Sequence, residues 1–122
     1  HLGYRADIEN VYRAVDFTVM ASLYEPFGLV GVESVLCGTP VLLADNAGCA
    51  EVINELAQLP FSLAAPDSLG RAVTLAVARW QAGTHRIAAP LQGLGYDPRV
   101  SVHVDALLAI AESLVRARDG AR

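Results

Sequence analysis

Val41-Leu42-Leu43-Ala44 is wholly apolar and bracketed by turn formers, Gly38 and Pro40 before it and Asp45-Asn46 after it. A short run that is apolar on both alternating faces reads as a strand covered on both sides, the usual state of strands in a parallel sheet. Phe17-Thr18-Val19-Met20 reads the same way, and Pro60 to Ala64 is a third strand candidate.

The intervening segments carry helical spacing. Ile8, Val11, Tyr12 and Val15 recur at i, i+3, i+4 and i+7, predicting a helix over Ala6 to Ala14 with Asp7 as N-cap. A second helix is expected from Gly28 to Cys37, stopped by Gly38 in the C′ position and Pro40 just beyond. A short helix is expected over Ala50 to Leu56. A longer one, capped by Asp67 or Ser68, carries Leu69, Val73, Ala76, Val77 and Trp80 on one side, with Trp80 assigned to the core. Gly83 to Gly95 reads as irregular. The last helix starts at Asp97-Pro98 (about 97–122), with Val104, Leu107, Leu108, Ala111, Leu114 and Val115 as its stripe. Strands alternating with helices give right-handed βαβ units, so the expected class is α/β with a Rossmann-like parallel sheet.

Composition narrows the function. The 122 residues suit one domain, and a net charge of −4 without any basic cluster argues against nucleic-acid binding. No apolar run approaches the ~20 residues that span a bilayer, and no secretory leader is visible, so a soluble cytoplasmic chain is expected. Cys37 and Cys49 lie outside any C-x-x-C pair and read as reduced core thiols. No metal site is expected. His1, His85 and His103 are assigned surface or capping roles. The start at His1, without Met, suggests a piece of something longer.

In open α/β sheets ligands bind beyond the carboxyl ends of the strands. The loops Ala21 to Gly28, Asp45 to Cys49 and Ala65 to Asp67 lie there. Gly28 opens a helix, so the N–H groups of Gly28, Leu29 and Val30 lack intrahelical acceptors and form an end that attracts anions. Glycine there also lets a phosphate come close. Glu33 is the one ionisable residue between Gly28 and Cys37, on a helix expected to be mostly covered. A carboxylate so placed needs a partner, unless it lies on a narrow exposed stripe. It stands roughly 7 Å along the axis from Gly28, within reach of the ribose of a nucleotide whose diphosphate meets the helix end.

Glu25-Pro26-Phe27-Gly28-Leu29-Val30-Gly31-Val32-Glu33, then Ser34-Val35-Leu36-Cys37-Gly38-Thr39-Pro40-Val41 and Ala47-Gly48-Cys49-Ala50-Glu51-Val52-Ile53, resembles the E-x7-E region of retaining glycosyltransferases of the group 1 type. The resemblance implies part of the C-terminal, donor-binding domain of a GT-B fold spanning 1–122. It implies hexosyl-type transfer from a nucleoside-diphosphate sugar, without metal or other cofactor, as in bacterial polysaccharide biosynthesis. Glu25 is then the catalytic-centre glutamate beside the donor sugar. Phe27, Gly28 and Leu29 present backbone amides to sugar and diphosphate, with Val30 in the same helix end. Glu33 holds the ribose, and Gly3 and Tyr4 pass the nucleobase.

A glycan or lipid-linked acceptor would be held by an N-terminal domain that this sequence lacks, together with the family's phosphate-clamping Arg and Lys. The parent protein is expected in the cytoplasm or on the inner face of the membrane. The family usually has two adjacent glycines where this chain has Ala47-Gly48. The resemblance puts Leu2-Gly3 at the end of strand 3 of the sheet, Phe17 to Met20 on strand 4, Val41 to Ala44 on strand 5 and Pro60 to Ala64 on strand 6. That leaves the Phe17 edge open to self-association. The alternative reading is a nucleotide-sensing or partner-binding α/β module without catalysis.

Overall fold

Alternation along the central strand shows why the chain folds as it does. In the computed structural model, which describes residues 1–119, Val41 and Leu43 point into one apolar cluster with Met20, Val32, Val35, Cys49 and Ile53. Leu42 and Ala44 point into another with Leu59, Phe61, Ala72 and Ala76. All four residues of Val41–Ala44 are at most 2% exposed, and burying a Leu or Val this fully is worth about 1.5–3 kcal/mol. The two-faced burial expected of that run is what the structure shows.

The elements follow in the order α1 (Ile8–Ala14), β1 (Thr18–Met20), α2 (Leu29–Leu36), β2 (Val41–Ala44), β3 (Gln58–Phe61), α3 (Ser68–Gln81) and α4 (Val100–Asp119). Short 3₁₀ turns cover Gly48–Glu51 and Pro90–Gly93. The sheet is parallel in the order β1-β2-β3, with Val19 opposite Leu42 and Leu42 opposite Leu59. Helix α2 packs over one face, with α1 against it, and α3 over the other. The α/β class with a parallel sheet is thereby shown.

Polar bonds at the foot of the sheet tie α2 to β1 and to the segment before β2. Ser34, fully buried, donates to the Thr39 carbonyl at 2.8 Å and accepts from Thr18 Oγ1 at 2.8 Å. Gly38 ends α2 at φ +83°, its N–H on the Val35 carbonyl at 2.9 Å, as the C′ assignment requires.

Several local expectations are corrected. Asp7 precedes α1 but makes no capping bond; its carboxylate is held by Arg5 at 2.7 Å. Asp67 likewise makes no capping bond, and Ser68 Oγ accepts the Ser62 N–H at 2.8 Å. The third strand is Gln58–Phe61 rather than Pro60 to Ala64, because its pairing with β2 sets Gln58 opposite Val41 and Phe61 opposite Ala44; Pro60, without an N–H, is tolerated on this edge strand. The expected Ala50 to Leu56 helix is only the Gly48–Glu51 turn: the Asn54 N–H goes to the Gly93 carbonyl at 2.8 Å, and Gln58 Nε2 donates to the Ala50 and Ile53 carbonyls that a longer helix would use. Leu2-Gly3 forms no strand.

Trp80 is 53% exposed and is not a core residue. It rims an open apolar groove of about 290 Å³ with Phe17, Val19, Leu42, Val73 and Val77, because α3 lies over β2 and β3 and leaves Val19 uncovered. Among the described residues β1 pairs only with β2, so its other edge is open. The last helix forms but starts at Val100 rather than at Asp97-Pro98, and its stripe stays in solvent: Leu107, Leu108 and Leu114 are 54–66% exposed. Residues 120–122 of the expected helix lie outside the described residues.

Candidate functional site

The loops after β1 and β2 lie side by side at the carboxyl end of the sheet. Glu25 and Ala47 form an isolated parallel bridge. The Gly48 N–H donates to the Glu25 carbonyl at 3.3 Å and the Cys49 N–H to the Phe27 carbonyl at 2.6 Å. Asn46 Nδ2 reaches across to the carbonyls of Ser22 (3.0 Å) and Leu23 (2.6 Å). The role of Asn46, read from sequence as a turn former, is thus to fasten one loop to the other. A Cβ on Gly48 would collide with the Pro26 carbonyl oxygen. Ala47 fits its own methyl while 3% exposed. Of the two positions where the family usually has glycine, the chain keeps the one where no side chain fits.

This clamp sets the start of α2. Gly28 takes the left-handed conformation (φ +95°, ψ +65°) and its carbonyl accepts the Gly31 N–H at 3.0 Å. The N–H groups of Gly28, Leu29 and Val30 lie ahead of that first helical bond, leaving donors for an anion at the positive end of the helix. The expected reason for glycine is corrected, however. A Cβ at Gly28 would point inward onto the Met20 methyl, with Cys49 Sγ and Glu25 Cγ each 3.1 Å away. The residue is glycine because of its backbone conformation and the packing beneath it, whatever approaches from outside.

Glu25 is half-buried beside Gly28. Burial pushes the Cys49 thiol up, and the Glu25 charge adds to that shift, so Cys49 is a neutral packing residue. The expectation of two core thiols holds for Cys49, fully buried, while Cys37 is only partly covered. Phe27, Leu29 and Val30 are 38–64% exposed around the helix end.

Glu33 sits one turn into α2 on an exposed stripe with Leu29, Val30 and Leu36, so the expectation of a covered carboxylate is corrected. It does have a partner that sequence reasoning missed. Tyr12 Oη, from α1, donates to Glu33 Oε2 at 3.0 Å. Tyr12 had been assigned to an apolar stripe, and it is indeed 6% exposed; nothing local in the sequence reveals where its hydroxyl goes. Gly3 and Tyr4 lie in an exposed stretch, Tyr4 at 96% exposure.

His85 is corrected as well. Its side chain is 12% exposed, its ring 5.5 Å from that of Phe17 and tilted 37° to it, with Nε2 3.1 Å from Asp16 Oδ1 and Nδ1 buried without a partner among the described residues. With Arg86 it belongs to the opposite end of the sheet, ahead of β1 and β2. Among the described residues no cluster of three or more His, Cys, Asp or Glu could hold a metal, and no helix is long and apolar enough to cross a membrane.

Comparison with known proteins places the fold and the family. A probable transglycosylase of Burkholderia thailandensis is 48% identical over 126 residues, spanning all of this chain and 35% of that protein. The D-inositol 3-phosphate glycosyltransferase of Thermobifida fusca is 45% identical over 51 residues, 42% of this chain and 12% of that protein. Among solved structures, the sucrose-phosphate synthase of Thermosynechococcus elongatus superimposes with a TM-score of 0.67 at 25% identity, over 88% of this chain and 27% of that one. Anabaena HepE in complex with UDP gives 0.62 at 27% identity, over 94% of this chain and 31% of that one. The chain thus spans about a third of the length of the transglycosylase it matches. The profile of the family described as glycosyl transferases group 1 matches residues 1–81, two-thirds of the sequence, and the chain belongs to that family.

Proposed function

We propose that the chain is the donor-binding part of a retaining glycosyltransferase that uses a nucleoside-diphosphate sugar. The observation that carries this reading is that Glu25 lies in the clamped loop, that the loop ends in the α2 start at Gly28, and that Glu33 stands exposed one turn further on. The UDP bound to the structurally similar HepE supports a nucleotide ligand. In this reading the donor diphosphate meets the N–H groups of Gly28, Leu29 and Val30. The ribose hydroxyls bond Glu33, and the transferred hexosyl group lies against Glu25 and the Phe27 backbone. Gly3 and Tyr4 flank the base.

Transition-state charge decides what the site contributes. As the glycosidic bond breaks, negative charge gathers on the leaving diphosphate, and amides already aimed at it stabilise the transition state more than the ground state. The acceptor hydroxyl attacks from the leaving-group side, and a phosphate oxygen takes its proton. Glu25 positions the sugar and stabilises its developing positive charge, with no covalent bond to it. The chemistry proposed needs no metal. The acceptor is a glycan or lipid-linked sugar held by residues beyond this chain, and the transfer takes place in the cytoplasm or at the inner membrane face.

Glu25→Ala tests the assignment. Turnover is expected to fall at least about 100-fold, the scale of a lost transition-state contact, while affinity for the bare nucleoside diphosphate changes little. Unchanged turnover, or an equal loss of both, contradicts the role given to Glu25.

A further inference from the structure

An exposed glutamate on a helix ordinarily samples several rotamers and loses that freedom only on binding. Glu33 departs from this because Oε2 accepts a bond from Tyr12 Oη at 3.0 Å. The tyrosine is itself fixed. Thr39 Oγ1, on a fully buried side chain, donates to the Tyr12 carbonyl at 2.6 Å. Arg86 Nη1 donates to that same hydroxyl at 2.8 Å, and Arg86 Nη2 to the Arg13 carbonyl at 3.2 Å. The last turn of α1 is therefore pinned to the segment ahead of β2 and to the chain after α3. Burial, then the bond to Glu33, pushes the Tyr12 phenol up to about 12, so it remains a donor across the working range.

We propose that Tyr12 is a positioning residue for the donor nucleotide: by holding Glu33 Oε2 it sets the carboxylate so that the other oxygen, Oε1, accepts the ribose hydroxyls. This rests on the ribose role proposed for Glu33 above. Pre-setting the acceptor removes part of the ordering entropy of binding. Tyr12 touches no reacting atom, and its effect reaches the ligand only through Glu33.

The test is calorimetric titration of the longest natural form of the protein with UDP, GDP and ADP. The tightest of these is then compared with its 2′,3′-dideoxy analogue, each variant being held below its own melting temperature. Tyr12→Phe is expected to weaken the ribonucleotide roughly five- to ten-fold and leave the dideoxy analogue unchanged, and to add nothing in a Glu33→Gln background. Equal losses on both nucleotides, or a full loss persisting beside Glu33→Gln, would overturn the proposal and make Tyr12 merely structural. If Glu33→Gln removes the preference for ribose and Tyr12→Phe keeps it, the proposal fails and the ribose reading of Glu33 stands. If Glu33→Gln keeps the preference, the ribose reading itself fails. Should Tyr12→Phe not fold, Glu33→Asp serves, since it withdraws the carboxylate from Tyr12 at an exposed position. It is expected to lose the ribose preference, and retention of the full preference overturns the proposal.

Discussion

Gly48 lies directly beneath the Pro26 carbonyl, so close that a Cβ built on it would overlap the oxygen. That contact and the Gly48 N–H bond to Glu25 bring the two loops of the candidate site within van der Waals reach of each other.

Gly48→Ala is accordingly expected to push the 25–28 loop outward at a cost of about 1–3 kcal/mol, the usual range for overpacking against backbone. Ala47→Gly, at the neighbouring buried position, removes one methyl and adds chain entropy, for about 1 kcal/mol. Chemical denaturation of the two variants checks the order; equal losses would place the constraint elsewhere.

Gly28 and Gly38 separate two kinds of left-handed glycine. Gly28→Val must adopt φ +95° and also displace the Met20 methyl, so a loss of about 2–4 kcal/mol is expected. Gly38→Ala meets the Ile87 carbonyl at 3.4 Å and Pro90 Cγ at 4.0 Å, ordinary contacts, and about 1 kcal/mol of conformational strain is expected. Donor binding by Gly28→Val should fail because the loop is displaced. A variant that melts normally yet binds no nucleotide would restore the view that the Cβ blocks the phosphate.

The first two strands, the class and the α2 boundaries were legible because they depend on local periodicity and on Gly and Pro punctuation. Val41–Ala44 was read residue for residue, and Gly38 was placed at its helix end. What was not legible depends on contacts between distant segments. The register of β3 follows from pairing with β2, which moved the strand two residues ahead of Pro60. The exposure of Trp80 follows from where α3 crosses the sheet, which no stripe on α3 reveals. Glu25 and Glu33 were found through a motif, yet the partner of Glu33 lies 21 residues upstream on another helix. His85 was read as a surface residue because nothing near it in sequence announces Asp16 or Phe17.

Tyr12 gives the fold an alkaline signature. Its phenol is raised from an ordinary value of 10.0 to about 12 in the folded chain, so the folded state keeps a proton that the unfolded chain releases. The stability from this group is fully present below pH 10 and is lost as pH rises from 10 toward about 12. Denaturation measured across that window should show a steeper alkaline decline in the parent than in Tyr12→Phe. Parallel declines would show that the phenol is not held as described.

The central claim is that nucleotide binds across the Gly28 helix end with its ribose on Glu33, and titration of UDP, GDP and ADP into the parent and Glu33→Ala tests it most directly. One of the three is expected to bind the parent, and Glu33→Ala to weaken it by about 1.5–3 kcal/mol, the scale of a hydrogen bond to a charged group. Folding stability should fall by no more than about 1 kcal/mol, for the Tyr12 hydroxyl left without its acceptor. Nucleotide affinity unchanged in Glu33→Ala, or lost only in step with folding, would contradict the account.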